Sequence, residues 1–189
     1  TPVFWLMLLG FNLSGLAITG IVVHELSYLT ELGYLPRVAA LVVSVHAFSG
    51  ICGRFVWGYL VDRWPVRYCL TTTYLGAAFA TVLLIHADVT WIAFLFAVIY
   101  GLNIGGSDLL NDSVWSNYYG RAFLGSIRGV VLPFQVISRA AGPVMSGLLY
   151  DYTGSYTTSL VIFVGTFAMG GLLFIVLKPP SAKSIRETG

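Results

Sequence analysis

Two arginines stand inside long apolar runs of this sequence, where a charged group is unexpected. Arg54 lies four residues before Gly58, and Arg139 lies eight residues before Gly147. A guanidinium at mid-bilayer costs from about 3 to more than 10 kcal/mol. It can also hold a carboxylate through two parallel hydrogen bonds, which predicts a site for an organic anion. The alternatives are side chains that reach a headgroup interface, or a structural pair between helices.

Two further polar residues share helix faces with these arginines. Gln135 lies four residues before Arg139, and His46 lies eight residues before Arg54. Each spacing places both residues of the pair on one face of a helix. We therefore expect Gln135 and His46 to line the same substrate cavity as the arginines. For His46 the alternative is a hydrogen-bonded packing residue.

The remaining polar candidates lie on the first and fourth apolar runs. Asn12 and Asn103 are predicted to line the cavity. Asp108 is a candidate proton carrier, because removal from water favours the neutral form of a carboxyl group, and its alternative role is to pair with a basic residue. The sequence holds no paired metal ligands and no complete nucleophile motif, so we expect no metal, no cofactor and no enzymatic activity.

The composition requires that the elements holding these residues lie in lipid. The 189 residues are 57% hydrophobic and only 10% charged, whereas a soluble domain carries about 25% charged residues. A helix of about 20 apolar residues spans a bilayer core. The stretches that meet this requirement are residues 3–24, 37–60, 69–87, 90–111, 129–150 and 157–177. The sequence therefore predicts an all-α membrane protein with six transmembrane helices.

Basic residues are concentrated at one side of this six-helix path. They are Arg63, Arg67, Arg121, Arg128, Lys178, Lys183 and Arg186, whereas the other side holds Arg37, Glu25, Glu31, Asp88 and Asp151. Because loops rich in Lys and Arg stay in the cytoplasm, we expect both chain ends there. The chain then divides into a six-helix unit over residues 1–178 and a cytoplasmic polar tail over residues 179–189. A net charge of +2 without a basic run gives no support for a nucleic-acid partner.

A short internal repeat divides the six helices into two sets of three. Gly58 stands four residues before Asp62 at the end of the second helix, and Gly147 stands four residues before Asp151 at the end of the fifth. One copy is expected inside the cell and the other outside, as in two three-helix units of inverted topology. We place the repeats at about residues 1–88 and 89–178.

The segment from Gly58 to Arg67 resembles the loop signature of the major facilitator superfamily. In that signature a glycine is followed, after three residues, by aspartate and arginine and then by further basic residues. Gly58, Asp62, Arg63 and Arg67 match it, while Pro65 stands where the family often has glycine. The resemblance implies close helix approach at the glycine and conformational control by the charged residues on the cytoplasmic side.

The whole chain resembles the carboxyl-terminal half of that superfamily. Residues 115–129 are similar to its loop before the eleventh helix, and residues 142–156 to the end of that helix in the monocarboxylate porter and oxalate:formate antiporter groups. The resemblance implies helices seven to twelve of a twelve-helix fold. Arg54 lies on the helix where these carriers place a substrate-binding arginine, and the oxalate carriers place a lysine on the helix of Arg139. Gly50 stands where monocarboxylate carriers have an aspartate.

These observations together predict a secondary transporter in the cell membrane that moves a small solute by alternating access. The arginines favour a small organic anion, either a mono- or a dicarboxylate. The expected partners are that solute, the lipid bilayer and a missing amino-terminal six-helix half. Two alternatives stay open, because one fold serves many functions. One is a carrier of another cargo, such as a drug or a sugar, with structural arginines, and the other is a transport-inactive receptor or scaffold.

Overall fold

The computed structural model of the protein describes residues 2–120 and 123–177. Arg121 and the segment 178–189, with the predicted polar tail and its basic residues, lie outside the described residues. The described ranges form helices and contain no strand. The helices are α1 (Pro2–Glu31), α2 (Pro36–Val61), α3 (Val66–Ile85), α4 (Thr90–Ile104), α5 (Ser107–Tyr119), α6 (Leu124–Thr153) and α7 (Thr157–Val176).

Five stretches of the described chain are long and apolar enough to cross a membrane. They are Pro2–Glu31, Pro36–Val61, Val66–Ile85, Thr90–Tyr119 and Thr157–Val176, with α4 and α5 forming one stretch. The sixth crossing is α6, whose 30 residues exceed the roughly 20 that a bilayer core requires. Arg128, Gln135 and Arg139 make α6 more polar than the other five. The predicted all-α fold with six membrane helices is confirmed.

Three of the predicted helix ends are wrong. α1 continues to Glu31 instead of ending near residue 24, and α6 begins at Leu124 instead of near residue 129. The predicted fourth helix extends to Tyr119 and is broken at Gly105 and Gly106. The apolar runs stop earlier than the helices because adding one residue to an existing helix brings one more main-chain hydrogen bond, whatever the polarity of its side chain.

The helices pack in three close pairs, which are α1 with α6, α2 with α4, and α3 with α7. Suppose that α1 is exchanged with the α4–α5 unit, α2 with α6, and α3 with α7. The α1–α6 pair then becomes the α2–α4 pair, and the α3–α7 pair stays the same. This is the pairing expected from two three-helix repeats related by a twofold axis. The repeat boundary near residue 88 stays a prediction.

Glycines bring α2 and the broken helix into close backbone contact. A Cβ atom on Gly53 would overlap the carbonyl group of Leu102, and one on Gly105 would overlap the carbonyl oxygen of Gly50. On Gly106, a Cβ would overlap the side chain of Trp57. Small residues at such positions allow two membrane helices to approach backbone to backbone.

We expect Gly105→Ala to lower the melting temperature of the purified full-length protein in detergent by several degrees. The added methyl group would meet backbone, which cannot rotate away, and overpacking of this kind costs about 1–3 kcal/mol. The matched control is Gly129→Ala on α6, where a Cβ would meet no described atom within 4 Å. Equal melting temperatures for the two variants would contradict the close contact between α2 and the broken helix.

Candidate functional site

A cavity of about 310 Å³ lies between α1, α2, the α4–α5 unit and α6. Its polar lining consists of Thr19, His46, Arg54, Ser107, Asp108 and Arg139. Isoleucine, alanine and glycine form the rest of the wall. The volume lies at the lower end of the range of about 300–1,000 Å³ that is typical of small-molecule sites. We call this space the central cavity.

Arg54 reaches the central cavity from α2 and is tied to the broken helix. Its Nε donates to the carbonyl oxygen of Gly105 at 3.4 Å. One turn further along α2, Trp57 Nε1 donates to the carbonyl oxygen of Leu102 at 2.9 Å. Among residues 2–120 and 123–177, no carboxylate forms an ion pair with Arg54. The two terminal nitrogens of its guanidinium are therefore available to an anion.

Arg139 reaches the same cavity from α6, and it is paired. Its Nη2 donates to Oδ1 of Asp108 at 2.7 Å, and the two side chains are 42% and 61% exposed. Pro143 has no N–H for the Arg139 carbonyl group, and the Thr19 hydroxyl of α1 donates to that carbonyl at 2.6 Å instead. The Arg139 side chain crosses Gly15, whose Cβ would lie 3.3 Å from Cγ. Contacts from α1 thus position both the backbone and the side chain of Arg139.

Gln135 lies beside Arg139 but in a neighbouring cavity of about 250 Å³. We call this space the lateral cavity; its polar lining residues are Asp108, Asn111, Asp112, Trp115, Arg128, Gln135 and Arg139. The Gln135 side chain is buried and accepts a hydrogen bond from Nδ2 of Asn111 at 3.4 Å. Gln135 and Arg139 are neighbours, as predicted, and both line the lateral cavity. Only Arg139 also lines the central cavity.

His46 lines the central cavity, and a buried carboxylate holds it there. Glu25 Oε2 lies 2.6 Å from His46 Nδ1, with side chains 1% and 12% exposed. The His46 ring packs edge-on against Tyr100, with centroids 5.1 Å apart. The assignment of Glu25 to the segments outside the helices was wrong because α1 continues to Glu31. The sequence held a signal for this, since no glycine or proline interrupts the chain between Glu25 and Gly33.

The two predicted asparagines do not reach the central cavity. Asn12 donates from Nδ2 to the carbonyl oxygen of Leu8 at 2.7 Å, within its own helix. Asn103 makes the equivalent bond to Ile99 at 2.8 Å, and its side chain lies against Gly76 of α3. Asn103 therefore faces α3 and occupies the space that a side chain at position 76 would need.

The two arginines of the loop signature make different contacts. The Arg63 guanidinium lies 3.6 Å above the centroid of the Tyr59 ring. Arg67 Nη1 donates to the carbonyl oxygen of Leu177 at 3.3 Å, just beyond the end of α7. A positive charge is favourable there, because carbonyl groups at a helix end are unpaired and carry partial negative charge. Arg67 thus links the α2–α3 loop to the end of the last helix.

The glycine and aspartate of the signature are less engaged in the described chain. The nearest described neighbour of a Cβ on Gly58 would be Leu109 at 3.7 Å, an ordinary contact distance. The close approach expected at Gly58 occurs five residues earlier, at Gly53. Asp62 follows the last residue of α2 and is exposed. The conformational role of Gly58 and Asp62 stays a prediction.

Six membrane helices that pack as two interchangeable sets of three, with a polar cavity between them, define the class of protein as half of a membrane carrier fold. The comparison of the sequence with protein families gives the particular family. Residues 2–189 match the model described as Major Facilitator Superfamily. The chain belongs to this superfamily, and the predicted resemblance to it is confirmed.

Individual relatives lie among proteins named monocarboxylate transporters. Monocarboxylate transporter 13 of Rattus norvegicus is 31% identical over 161 residues, which cover 83% of this chain and 37% of the relative. Monocarboxylate transporter 12-B of Danio rerio is 28% identical over 78% of this chain and 31% of its own length. Monocarboxylate transporter 11 of Homo sapiens is 27% identical over 82% of this chain and 35% of its own length. The chain spans about a third of the length of these relatives.

We expect His46→Ala to destabilise the protein far more than Asp108→Asn. Removal of His46 would leave the Glu25 carboxylate buried without its partner, and breaking a buried pair in this way costs about 3–5 kcal/mol. The pair of Asp108 and Arg139 is largely exposed, and such pairs contribute about 0–1 kcal/mol. Denaturation of the purified full-length protein measures both changes. Similar losses in the two variants would contradict this ranking.

Proposed function

We propose that this chain is half of a secondary transporter that carries a small organic anion, a mono- or dicarboxylate, across the membrane by alternating access. The observation that carries the proposal is the position of Arg54. Its guanidinium lines the central cavity, and no described carboxylate forms an ion pair with it. The Arg54 side chain is exposed in this half. Once a second half encloses the cavity, a charge without a partner there becomes costly, and a carboxylate that enters the cavity would neutralise it.

The charges of the central cavity favour one anionic group. Arg54 and Arg139 contribute two positive charges, and Asp108 contributes one negative charge. A substrate carboxylate on Arg54 would bring this balance to neutral, which lowers the cost of closing the cavity away from water. A dicarboxylate would place its second group near Arg139 and compete with Asp108. The ion pair supports a partner role for Asp108 and leaves its proton-carrying role as the alternative.

The names of the relatives support the same class of cargo. Three proteins that share 27–31% of residues with this chain are named monocarboxylate transporters. The chain spans only about a third of their length, so the activity of the complete protein is part of the proposal. No step requires a cofactor or a covalent intermediate, because binding and release of the anion are enough to bias two conformations.

Exposed apolar side chains beside the arginines support a second membrane half. Phe48, Ile51 and Phe55 of α2 are 61–76% exposed, and Val136 and Ile137 of α6 are 62% and 68% exposed. These side chains flank Arg54 and Arg139 in sequence, so the surface they form adjoins the central cavity. We propose that the missing six-helix half covers this surface and completes the site, while lipid covers the outer faces.

We further propose that the end of the bundle carrying the α2–α3 loop faces the cytoplasm. Arg63, Arg67 and Arg128 lie at that end of the described helices, and Arg37 lies at the opposite end. Because Glu25 is buried inside the bundle, it no longer counts among the loop charges. The orientation is decided by Lys and Arg, and the described arginines lie at the ends of the bundle that the sequence predicts for them.

The proposal predicts saturable uptake of a labelled carboxylate by cells that express the full-length carrier, and loss of that uptake in Arg54→Gln. Arg54 is exposed in this half, and its contact with the substrate would become buried when the complete carrier closes. Removing one partner of such a buried charge-assisted contact costs about 2–5 kcal/mol, so kcat/KM is expected to fall by roughly a hundredfold or more. Arg54→Lys keeps the charge without the two-pronged geometry and is expected to recover part of the uptake.

The matched control for this experiment is Arg37→Gln, which removes an exposed arginine from the other end of the same helix. It is expected to transport as the wild type does, and surface labelling shows that each variant reaches the membrane. Uptake of acetate, lactate and succinate that is equal in Arg54→Gln and the wild type would contradict the role of Arg54. Absence of carboxylate uptake in the wild type would contradict the proposed cargo.

A further inference from the structure

The lateral cavity contains polar groups that the site at Arg54 does not use. It has a volume of about 250 Å³ and shares only Asp108 and Arg139 with the central cavity among the described residues. Two ion pairs between α5 and α6 line it, Asp108 with Arg139 and Asp112 with Arg128. The charges of these four side chains cancel, so the kind of ligand follows from the directions of the hydrogen bonds.

A chain of hydrogen bonds fixes the orientation of the two amide side chains in this cavity. The indole of Trp115 only donates, and its Nε1 lies 2.8 Å from Oδ1 of Asn111. Since Oδ1 of Asn111 is thereby the acceptor, Nδ2 is the atom that donates to Oε1 of Gln135, at 3.4 Å. The remaining polar atom of Gln135 is Nε2, which only donates.

This Nε2 group of Gln135 lacks an acceptor. Among residues 2–120 and 123–177 it forms no hydrogen bond, although Gln135 is only 7% exposed. A buried donor without a partner costs about 1–3 kcal/mol. Because Gln135 lines the lateral cavity, an oxygen atom of a ligand in this space would accept from Nε2 and remove the cost. Gln135 therefore makes the cavity selective for an acceptor.

Arg139 supplies further donors beside Gln135. It lies one turn further along α6, and its guanidinium gives Nη2 to Asp108 and keeps other N–H groups for a ligand. One oxygen of a carboxylate can accept from these groups while the other accepts from Gln135. Asp108 offers little competition, because its side chain is 61% exposed and such pairs contribute about 0–1 kcal/mol.

The lateral cavity leads from the central cavity towards the end of the bundle that carries the α2–α3 loop. Arg139 lines both cavities, whereas Arg128 lines only the lateral one. Arg128 lies near the start of α6, eleven residues or about 16 Å before Arg139 and on the same face of the helix. A carboxylate that leaves Arg54 towards this end would meet Arg139 first and Arg128 last.

We propose that the lateral cavity is a second binding site for a small carboxylate, separate from the site at Arg54, in which Gln135 and Arg139 hold the two carboxylate oxygens. The site lies on the path between the central cavity and the loop end of the bundle. The inference rests on the proposed function only where it makes this carboxylate the cargo, because binding in the lateral cavity does not require transport.

The first test measures binding in the lateral cavity without transport. Leu132 lines this cavity but not the central one and is 51% exposed, so a cysteine at this position reports on the space. In the purified full-length carrier, Leu132→Cys is expected to react severalfold more slowly with the anionic reagent sulfonatoethyl methanethiosulfonate when lactate is present. Chloride at the same ionic strength is expected to protect far less. The reaction of the carrier without this substitution is subtracted.

Further substitutions in the Leu132→Cys carrier separate the two cavities. Arg54→Gln is expected to keep the protection by lactate, because the lateral site does not use Arg54. Gln135→Glu is expected to lose it, because an oxygen replaces the donor Nε2 while Oε1 still accepts from Asn111. Gln135→Met removes the donor without adding a charge, so it is expected to weaken the protection as well.

The matched control is Asn117→Asp, which makes the same change from amide to carboxylate on α5. Asn117 is exposed, lines neither cavity, and lies nine residues after Asp108, on the opposite side of the helix. This variant is expected to keep the protection.

The proposal is overturned if the Leu132→Cys carrier shows no protection, or if chloride protects as well as lactate. Protection that disappears in Arg54→Gln would overturn it too, because lactate would then act only through the central cavity. Protection that survives in both Gln135 variants, or that is lost equally in Asn117→Asp, would contradict the role of Gln135.

The second test asks whether the site lies on the transport path, with labelled lactate and liposomes that contain the full-length carrier. Gln135→Glu is expected to lower kcat/KM by roughly tenfold or more, the effect of losing one hydrogen bond to a charged group. Asn117→Asp is expected to transport as the wild type does. Equal transport by the two variants would overturn the position of the site on the path. If the wild type moves no lactate, the proposed function fails, and the protection of Leu132→Cys alone decides the lateral site.

Discussion

The close contact between α2 and the broken α4–α5 helix is the constraint on which the rest of this structure depends. Gly50 and Gly53 on one side and Gly101 and Gly105 on the other allow backbone to meet backbone. At this distance the Arg54 side chain reaches the carbonyl group of Gly105. The same contact brings the ring of His46 against Tyr100. The positions of Arg54 and His46, the two ionisable residues of α2 in the central cavity, therefore depend on glycines that have no functional group themselves.

A parallel device positions the other arginine. Pro143 leaves the carbonyl group of Arg139 without its main-chain donor, and Thr19 of α1 supplies one. In a bilayer such a carbonyl group must find a partner inside the protein. The α1–α6 contact and the α2–α4 contact correspond to each other under the exchange of the two three-helix sets. The α2–α4 contact thus positions Arg54, and the α1–α6 contact positions Arg139. The two arginines come from α2 and α6, which correspond to each other in the two repeats.

Much of this arrangement could be predicted from the sequence. The apolar runs gave the membrane helices, and Arg54 and Arg139 were conspicuous because charge is rare in such runs. Glu25 was missed because an acidic residue near the end of an apolar run looks like a loop residue, and only the packing of α1 against α2 reveals its partner. Asn103 was misplaced because helical spacing alone does not tell which neighbour a face meets. Such errors concern contacts between distant segments, which periodicity within one helix cannot encode.

The central claim is that Arg54 is kept free of acidic partners so that a substrate carboxylate can bind it. A cryo-EM structure of the full-length carrier, determined with and without a saturating carboxylate, tests this claim most directly. The account predicts density for the carboxylate within hydrogen-bond distance of the Arg54 terminal nitrogens, and no acidic side chain at that distance in the empty carrier. An ion pair between Arg54 and an acidic residue of the other half, present in both states, would contradict it.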